Sequence, residues 1–319
     1  MTKEKGLPLT SNHWGTYRAK VKDGKVEELL GWEHDNDPSP IAEGILDVLD
    51  GPTRIDAPMV RKSWLEGGPG SNNKLRGNDS FIEVTWEKAE KLVADELNRV
   101  KEKFGNSSIY GGSYGWASAG RFHHAQSQLH RFLNCIGGYT RSKFTYSFAA
   151  AEAMVPHILG SYRAYLDTCT SWSSIKDHTK VFLSFGGIPI KNGQISQGGT
   201  GNHYQQENII EAAKSGIEFI NVSPLKSDFI DEVKSEWIAA RPNTDTALML
   251  GIAHTLHVEG LSNKEFLKKY TEGFEKFLPY LLGEIDGTKK DASWAAEICN
   301  ISPDKIKELA RKLSSKRLS

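Results

Sequence analysis

Cysteine is scarce in this chain: three in 319 residues, at positions 135, 169 and 299. They stand far apart, so they form neither a disulfide framework nor a Cys-x-x-Cys metal or cluster motif. No apolar run approaches the roughly 18 residues a membrane-spanning helix needs. Residues 1–15 contain neither an apolar signal core nor a twin-arginine pair, so no export signal is visible. That reads as a cytoplasmic chain, or a periplasmic one where a signal stands upstream of Met1. An excess of one charge is also missing. The 40 Lys+Arg balance 40 Asp+Glu, which argues against a nucleic-acid binder. What is present suffices for a core: 38% of residues are apolar and 10% aromatic, which excludes wholesale disorder. The length suits about two domains.

Residues 1 to about 58 read as loop-rich and weakly periodic, and Glu33–Pro40 and Glu66–Asp79 read as loops dense in turn formers. Ala89, Leu92, Val93, Leu97, Val100 and Phe104 recur at helical spacing and predict a helix over Trp86–Phe104, capped by Thr85 and stopped by Gly105. A short strand over Ser108–Tyr110 runs into Gly111-Gly112-Ser113-Tyr114-Gly115-Trp116. Farther on, Lys180–Phe185, Glu207–Lys214 and Ile217–Val222 read as strand, helix and strand, a right-handed parallel crossover. Thr244 is expected to cap a buried apolar helix over Ala247–Val258. Lys264–Leu282 and Pro303–Leu313 read as amphipathic helices, the last capped by Ser302.

Three groups of residues could carry chemistry. In the glycine-rich turn, Gly111, Gly112 and Gly115 allow positive φ and close ligand approach, flanked by the donors Tyr114 and Trp116. The turn matches neither the Walker pattern nor the Rossmann fingerprint, and by spacing alone its aromatics are more often core. The histidine pairs 123/124 and 254/257 lack the converging ligands of a zinc site, which favours surface or satisfied histidines. Ser147 precedes Phe148-Ala149-Ala150-Ala151 outside any Gly-x-Ser-x-Gly elbow, so on composition it reads as a helix cap.

From about Pro58 onward the chain resembles the dimethyl sulfoxide/trimethylamine N-oxide/biotin sulfoxide reductase family of molybdopterin oxidoreductases. The resemblance rests on stretches in family order. They are Pro58-Met59-Val60-Arg61-Lys62-Ser63-Trp64, Gly112-Ser113-Tyr114-Gly115-Trp116, Leu129-His130-Arg131-Phe132 and Gly137-Gly138-Tyr139-Thr140. Tyr146-Ser147 and Val155-Pro156-His157-Ile158-Leu159-Gly160 come next, then Pro242-Asn243-Thr244-Asp245, 247–256 and 294–299. The implied fold is α/β: a multi-domain bis-molybdopterin-guanine-dinucleotide reductase fold, incomplete at its C-terminus, with a Rossmann-like parallel-sheet domain. Its expected divisions are a small N-terminal loop/β segment (1–58), an α/β domain with the molybdenum ligand (59–170) and a truncated dinucleotide-binding domain (171–319).

The resemblance implies that Ser147 ligates molybdenum through its oxygen, and that Tyr114 and Trp116 are catalytic donors to the oxide oxygen. It implies cofactor contacts at Ser113, Gly115, Trp116, Lys191, Asn192, Ser223, Thr244 and Asp245. Lys191 would neutralise pyrophosphate, and Asp245 would accept from guanine N1–H and N2–H. The reaction implied is oxygen-atom transfer from an S-oxide or N-oxide, completed by two electrons and two protons that release water. The cofactor is molybdenum-bis(molybdopterin guanine dinucleotide), with no iron–sulfur cluster in this chain, so an external donor supplies electrons. Two departures stand out. The family often has Gly-Asp-Tyr-Ser before the ligand, where this chain has Lys143-Phe144-Thr145-Tyr146-Ser147. The acidic residue usual after the second βαβ strand is replaced near Val222-Ser223. Intact relatives are far longer, so the expectation is a truncated or split reductase. Two other readings are a metal-free guanine-dinucleotide-binding fragment and a nicotinamide oxidoreductase. The second ranks low without a Gly-x-Gly-x-x-Gly fingerprint.

Overall fold

The computed structural model describes residues 6–71, 73–113, 124–196 and 199–315. Its contacts divide the chain into two units: Met1–Tyr165 with Ile195–Asn202, and Leu166–Gln194 with His203–Ser319.

In the first unit, the N-terminal segment expected to be loop-rich forms a three-stranded antiparallel sheet. It comprises β1 (Leu9–Asn12), β2 (Gly15–Lys22) and β3 (Lys25–Gly31). Only alternate residues of β2, Gly15, Tyr17 and Ala19, are buried, which leaves little apolar signal in the sequence. The hairpin between β2 and β3 is an Asp-Gly turn: Asp23 and Gly24 both have positive φ, as a type I′ connection requires. The Tyr17 hydroxyl donates to Trp14 O and Ser39 O, and burial pushes its pKa up to about 12. Helix α1 (Glu43–Leu49) follows, then β4 (Met59–Arg61), α2 (Lys62–Gly67) and β5 (Phe81–Glu83), with β4 and β5 antiparallel. Helix α3 (Trp86–Phe104) has the expected bounds: Thr85 Oγ1 accepts from Lys88 N and Gly105 follows the last turn. Next come β6 (Tyr110–Gly111), α4 (Ala125–Cys135) and β7 (Thr140–Arg141). β6 and β7 pair in parallel. Helices α5 (Ala149–Leu159) and α6 (Tyr162–Asp167) complete this stretch.

The second unit is built on a parallel sheet. After α7 (Trp172–His178) come β8 (Val181–Phe185), the one-turn α8 (Ile190–Gly193), α9 (Gln205–Lys214), β9 (Glu218–Val222) and β10 (Ser235–Ile238). The strand order is β10-β9-β8, all parallel. β10 carries no alternation of its own in the sequence Ser-Glu-Trp-Ile; it is a strand because it pairs with β9. Both faces of this sheet are covered, as the apolar runs of β8 and β9 require. On one face Val181, Ile220, Val222 and Ile238 pack with Leu248 and Ile252 of α10 (Asp245–Val258) and with residues of the two C-terminal helices, among them Ala295 and Leu309. On the other, Phe219 and the half-buried Phe182 pack with Ile175, Ile209 and Ala212 of α7 and α9.

The stretch expected as one helix from Lys264 to Leu282 is two, α11 (Lys264–Tyr270) and α12 (Phe274–Leu281). Thr271 donates back to Leu267 O, and Gly273 at φ 80° takes the left-handed position between them. Helices α13 (Ala292–Cys299) and α14 (Pro303–Ser315) close the description. Ser302 Oγ accepts from Lys305 N at 3.3 Å, as a cap should. No helix among the described residues is long and apolar enough to cross a membrane.

Two outcomes follow from this packing. Leu248 is fully buried between the sheet and its covering helices, so Leu248→Ala should cost about 2–5 kcal/mol in urea unfolding. Arg18 donates from Nε and Nη2 to both oxygens of Glu33, and this pairing holds the Glu33 carboxyl down at about 2 against an ordinary 4.5. A depressed carboxylate stabilises the fold above its unfolded value and loses that contribution as pH falls towards 2. A carbon-13 titration should place the Glu33 midpoint near 2, and Arg18→Met should return it to the ordinary carboxylate range.

Candidate active site and cofactor edge

The first group of site residues lies just past the carboxyl ends of β6 and β7. Gly111 is a glycine for packing: a Cβ there would overlap Leu133 Cδ1 of α4 and the ring of Tyr139. Neither Gly111 nor Gly112 takes positive φ, which corrects the expectation that they supply a left-handed turn. The helix therefore sits directly on the strand, and Tyr139 is pressed against it. Tyr139 is hydrogen-bonded to His130 Nδ1, and the two rings stack at 18°. Asn106 Nδ2 donates to Ile136 O and Gly138 O, bracing the Gly137-Gly138 turn that delivers Tyr139. Sequence stretches 129–132 and 137–140 thus meet in space.

Beyond β7 the chain makes the turn that carries Ser147. The capping role expected from composition is not taken: the residue at the N-cap of α5 is Phe148, and the helix begins at Ala149. The turn is tied at its base instead. Thr145 Oγ1 accepts from Phe148 N at 3.4 Å, and Thr145 N donates to Glu152 Oε2 at 3.0 Å. Tyr146 and Ser147 project from the tied turn, both exposed, Tyr146 at 97%. Beside them opens a cleft of about 600 Å³ lined by Gly112, Ser113, Tyr110, His130, Arg141, Phe144 and Tyr146 among others. The structure thus brings Ser113 to the cleft that flanks the Ser147 turn. Tyr114, Gly115 and Trp116 lie outside the described residues.

The second group is at the carboxyl edge of the β10-β9-β8 sheet, where open parallel sheets bind ligands. Past β8, Gly186 and Gly187 both have positive φ; Gly186 N donates to Val222 O and Ile188 N to Asp228 O. A Cβ on Gly187 would overlap the Asp228 backbone, so the two turns interlock. Lys191 and Asn192 follow on α8, exposed. Past β9, Ser223 is 1% exposed and its hydroxyl donates to Asp228 Oδ2 at 2.5 Å. Past β10, Asn243 has positive φ and Thr244 precedes α10. The Thr244 hydroxyl donates to Arg241 O at 2.6 Å and so does not cap the helix, contrary to expectation. Asp245, the first residue of α10, is half-buried. Lys191, Asn192, Ser223, Thr244 and Asp245 therefore share one edge.

Sequence reasoning missed Asn221, which is completely buried one residue before the end of β9, with neither amide atom hydrogen-bonded. Each unmet group costs about 1–3 kcal/mol. A polar side chain at a strand end, two residues from Ser223, was the available signal.

Metal donors are sparse. Among the described residues no three His, Cys, Asp or Glu group to hold an ion. His124 caps α4, its Nδ1 accepting from Ser127 N. His254 has its pKa lowered by burial, and Cys299 has its thiol pushed up by burial. A metal bound among the described residues would have to bring most of its ligands with it. Metal carried on a pterin dithiolene does so, and the donor set fits that group.

A family model described as molybdopterin oxidoreductase matches residues 54–303. The chain belongs to that family. A second model, for the molybdopterin oxidoreductase N-terminal domain, matches residues 10–50. The chain is 40% identical to a dimethyl sulfoxide/trimethylamine N-oxide reductase of Rhodobacter capsulatus, over 98% of this chain and 38% of that protein. It is 38% identical to a trimethylamine-N-oxide reductase of Haemophilus influenzae over 97% of this chain and 37% of that protein. A biotin sulfoxide reductase of Cereibacter sphaeroides is 40% identical over 89% of this chain and 38% of its own length. The chain thus spans under two fifths of the relatives it matches. In structure it is similar to acetylene hydratase from Pelobacter acetylenicus, with a TM-score of 0.59 at 19% identity, covering 95% of this chain and 38% of that one. That likeness concerns the fold alone. It agrees with an α/β chain built on parallel strands in a molybdopterin oxidoreductase.

The glycine contact at the cleft gives a direct test. Gly111→Ala forces a methyl into the space of Leu133 and Tyr139, so urea unfolding should show a loss of about 1–3 kcal/mol. Leu133→Ala made in addition should recover part of that loss.

Proposed function

We propose that this chain is the metal- and cofactor-holding part of a molybdenum oxidoreductase that removes oxygen from S-oxides or N-oxides. The observation that carries the reading is the tied turn that presents Ser147 beside a cleft, in a chain with no competing metal-ligand cluster among its described residues. The relatives' printed activities agree with it.

The bound molybdenum–pterin group supplies a two-electron centre able to accept an oxygen atom. Everything else falls to the chain. Ser147 gives the metal a hard oxygen donor, suited to a high oxidation state. Tyr114 and Trp116 each carry one hydrogen-bond donor, and in this reading these meet the oxide oxygen and offset the charge that grows on it as the S–O or N–O bond breaks. Two protons and two electrons from an external donor then complete the reduction to water.

In this reading the pterin carries guanine dinucleotides, two per metal, and one of them lies along the carboxyl edge of the parallel sheet. Exposed Lys191 offsets pyrophosphate charge, with Asn192 beside it. Asp245 accepts from guanine N1–H and N2–H, a pairing adenine cannot make. Ser223 and Thr244, with hydroxyls engaged by the protein, shape the edge along which the nucleotide lies. Ser113 and Gly115 border the pterin. The divisions at 1–58, 59–170 and 171–319 belong to the same reading, as does a multi-domain fold completed by sequence the relatives have and this chain does not match.

The test is metal and pterin content with oxide turnover, by elemental mass spectrometry, pterin fluorescence and assays on dimethyl sulfoxide and trimethylamine N-oxide. Ser147→Ala should leave guanine-pterin content near that of the parent and lower oxide reduction by about a hundredfold or more. Equal activity in the variant would remove Ser147 from the metal. Guanine nucleotide without metal in the parent would favour a non-catalytic binding fragment.

A further inference from the structure

The cleft beside the Ser147 turn carries positive charge that its own side chains do not use. Its lining includes Arg141, the last residue of β7, and Arg163, the second residue of α6. Thr140 turns its hydroxyl back to donate to Ser107 O. The alternation of a strand then carries the next side chain, Arg141, to the opposite side, where the cleft lies. The lining has one carboxylate among the described residues, Glu152, and that group already accepts from Thr145 N at 3.0 Å in the tie under the turn. Neither arginine makes an ion pair or a hydrogen bond among the described residues. Elsewhere the chain uses arginine differently: Arg18, Arg99 and Arg311 each close on both oxygens of a glutamate. Lys143 adds a third cation at the rim, its Nζ 5.0 Å from the centre of the Phe144 ring that lines the cleft.

A guanidinium is a planar fork of donors whose geometry matches an oxyanion. Two of them facing one cleft, with no free counter-charge in its described lining, draw an anion in and fix its orientation. A neutral oxide leaves both forks empty.

We propose that Arg141 and Arg163 form an oxyanion subsite beside Ser147, which selects oxides bearing a carboxylate over neutral oxides of similar size. This rests on the reading that the oxide is reduced beside Ser147.

The experiment compares the molybdenum-loaded enzyme with its Arg141→Gln, Arg163→Gln and doubly substituted variants. The probes are methylsulfinylacetate and its methyl ester, which share the reacting sulfoxide and differ in charge. The parent should prefer the anion in kcat/KM. Each single substitution should lower the anion-to-ester ratio by about tenfold, through KM for the anion. Added salt should weaken the same preference in the parent. A second readout needs no turnover: in isothermal titration, the sulfone methylsulfonylacetate should bind each variant about tenfold more weakly than the parent. Both guanidiniums are exposed and unpaired among the described residues, so melting temperatures should stay within about 2 °C of the parent. A parent without preference for the anion overturns the proposal, and so does an unchanged ratio in the double variant. Loss of guanine-pterin content in the variants also overturns it, because it assigns the two arginines to cofactor phosphate. Failure of the parent to hold molybdenum or to reduce either probe defeats the underlying reading before any variant is compared, and the proposal falls with it.

Discussion

Parallel strands cannot be joined by a tight turn, and the placement of every described candidate residue follows from that constraint. Each parallel pair needs a crossover that leaves from the carboxyl end of one strand and returns to the amino end of the next. The loops that begin these crossovers gather at one edge of each sheet. Ser113 follows β6, the Ser147 turn follows β7, Lys191 follows β8, Ser223 follows β9, and Thr244 with Asp245 follows β10. Residues 34 apart in the chain, Ser113 and Ser147, reach the same neighbourhood because β6 and β7 are in register as Tyr110 with Thr140 and Gly111 with Arg141. The same rule acts independently within each unit.

The two edges are secured by different means. Around β6 and β7 the parallel pairing is only two residues long, so the ladder supplies little. Glycine does the work there: the missing side chain at 111 lets Leu133 and Tyr139 close on the strand. Asn106 ties the returning turn with its amide. Around β8 and β9 the sheet is longer and both faces are covered, and there the polar groups of the turns satisfy one another. Ser223, Asp228 and the Trp237 indole, which donates to Ser223 O, form one network over the strand ends. Asn221 stands out within it, since its amide is the polar group that network leaves unmet.

How much of this was legible in the sequence depends on whether the signal was local. The Trp86–Phe104 helix was fully legible, because its cap, its stripe and its glycine stop all lie within its own length. Val181–Phe185 and Glu218–Val222 were legible as buried parallel strands because two covered faces require unbroken apolar runs. β10 was not, since Ser235–Ile238 becomes a strand only through its neighbour. The break at Thr271–Gly273 was hidden because the apolar spacing continues across it, while the backbone reverses at one glycine. In the N-terminal sheet the Asp23-Gly24 turn was a readable signal that went unused. At the site, resemblance pointed to Ser147, but nothing in the residues announced that Thr145 would tie the turn. The substitution of Phe144 in the familiar Gly-Asp-Tyr-Ser pattern was plain as a letter change. That Phe144 takes a left-handed backbone was not.

β8 has one further property. Among the described residues its only strand neighbour is β9, so one side of Val-Phe-Leu-Ser-Phe presents a row of backbone donors and acceptors with no ladder partner. Such a margin accepts any extended peptide of suitable polarity without regard to its side chains. The strand is short, uncharged and apolar but for Ser184, so it carries no charge that discourages a wrong guest. The chain's least guarded stretch of backbone thus lies 34 residues beyond Ser147, and a lysine on that margin would deter pairing there without touching the cleft.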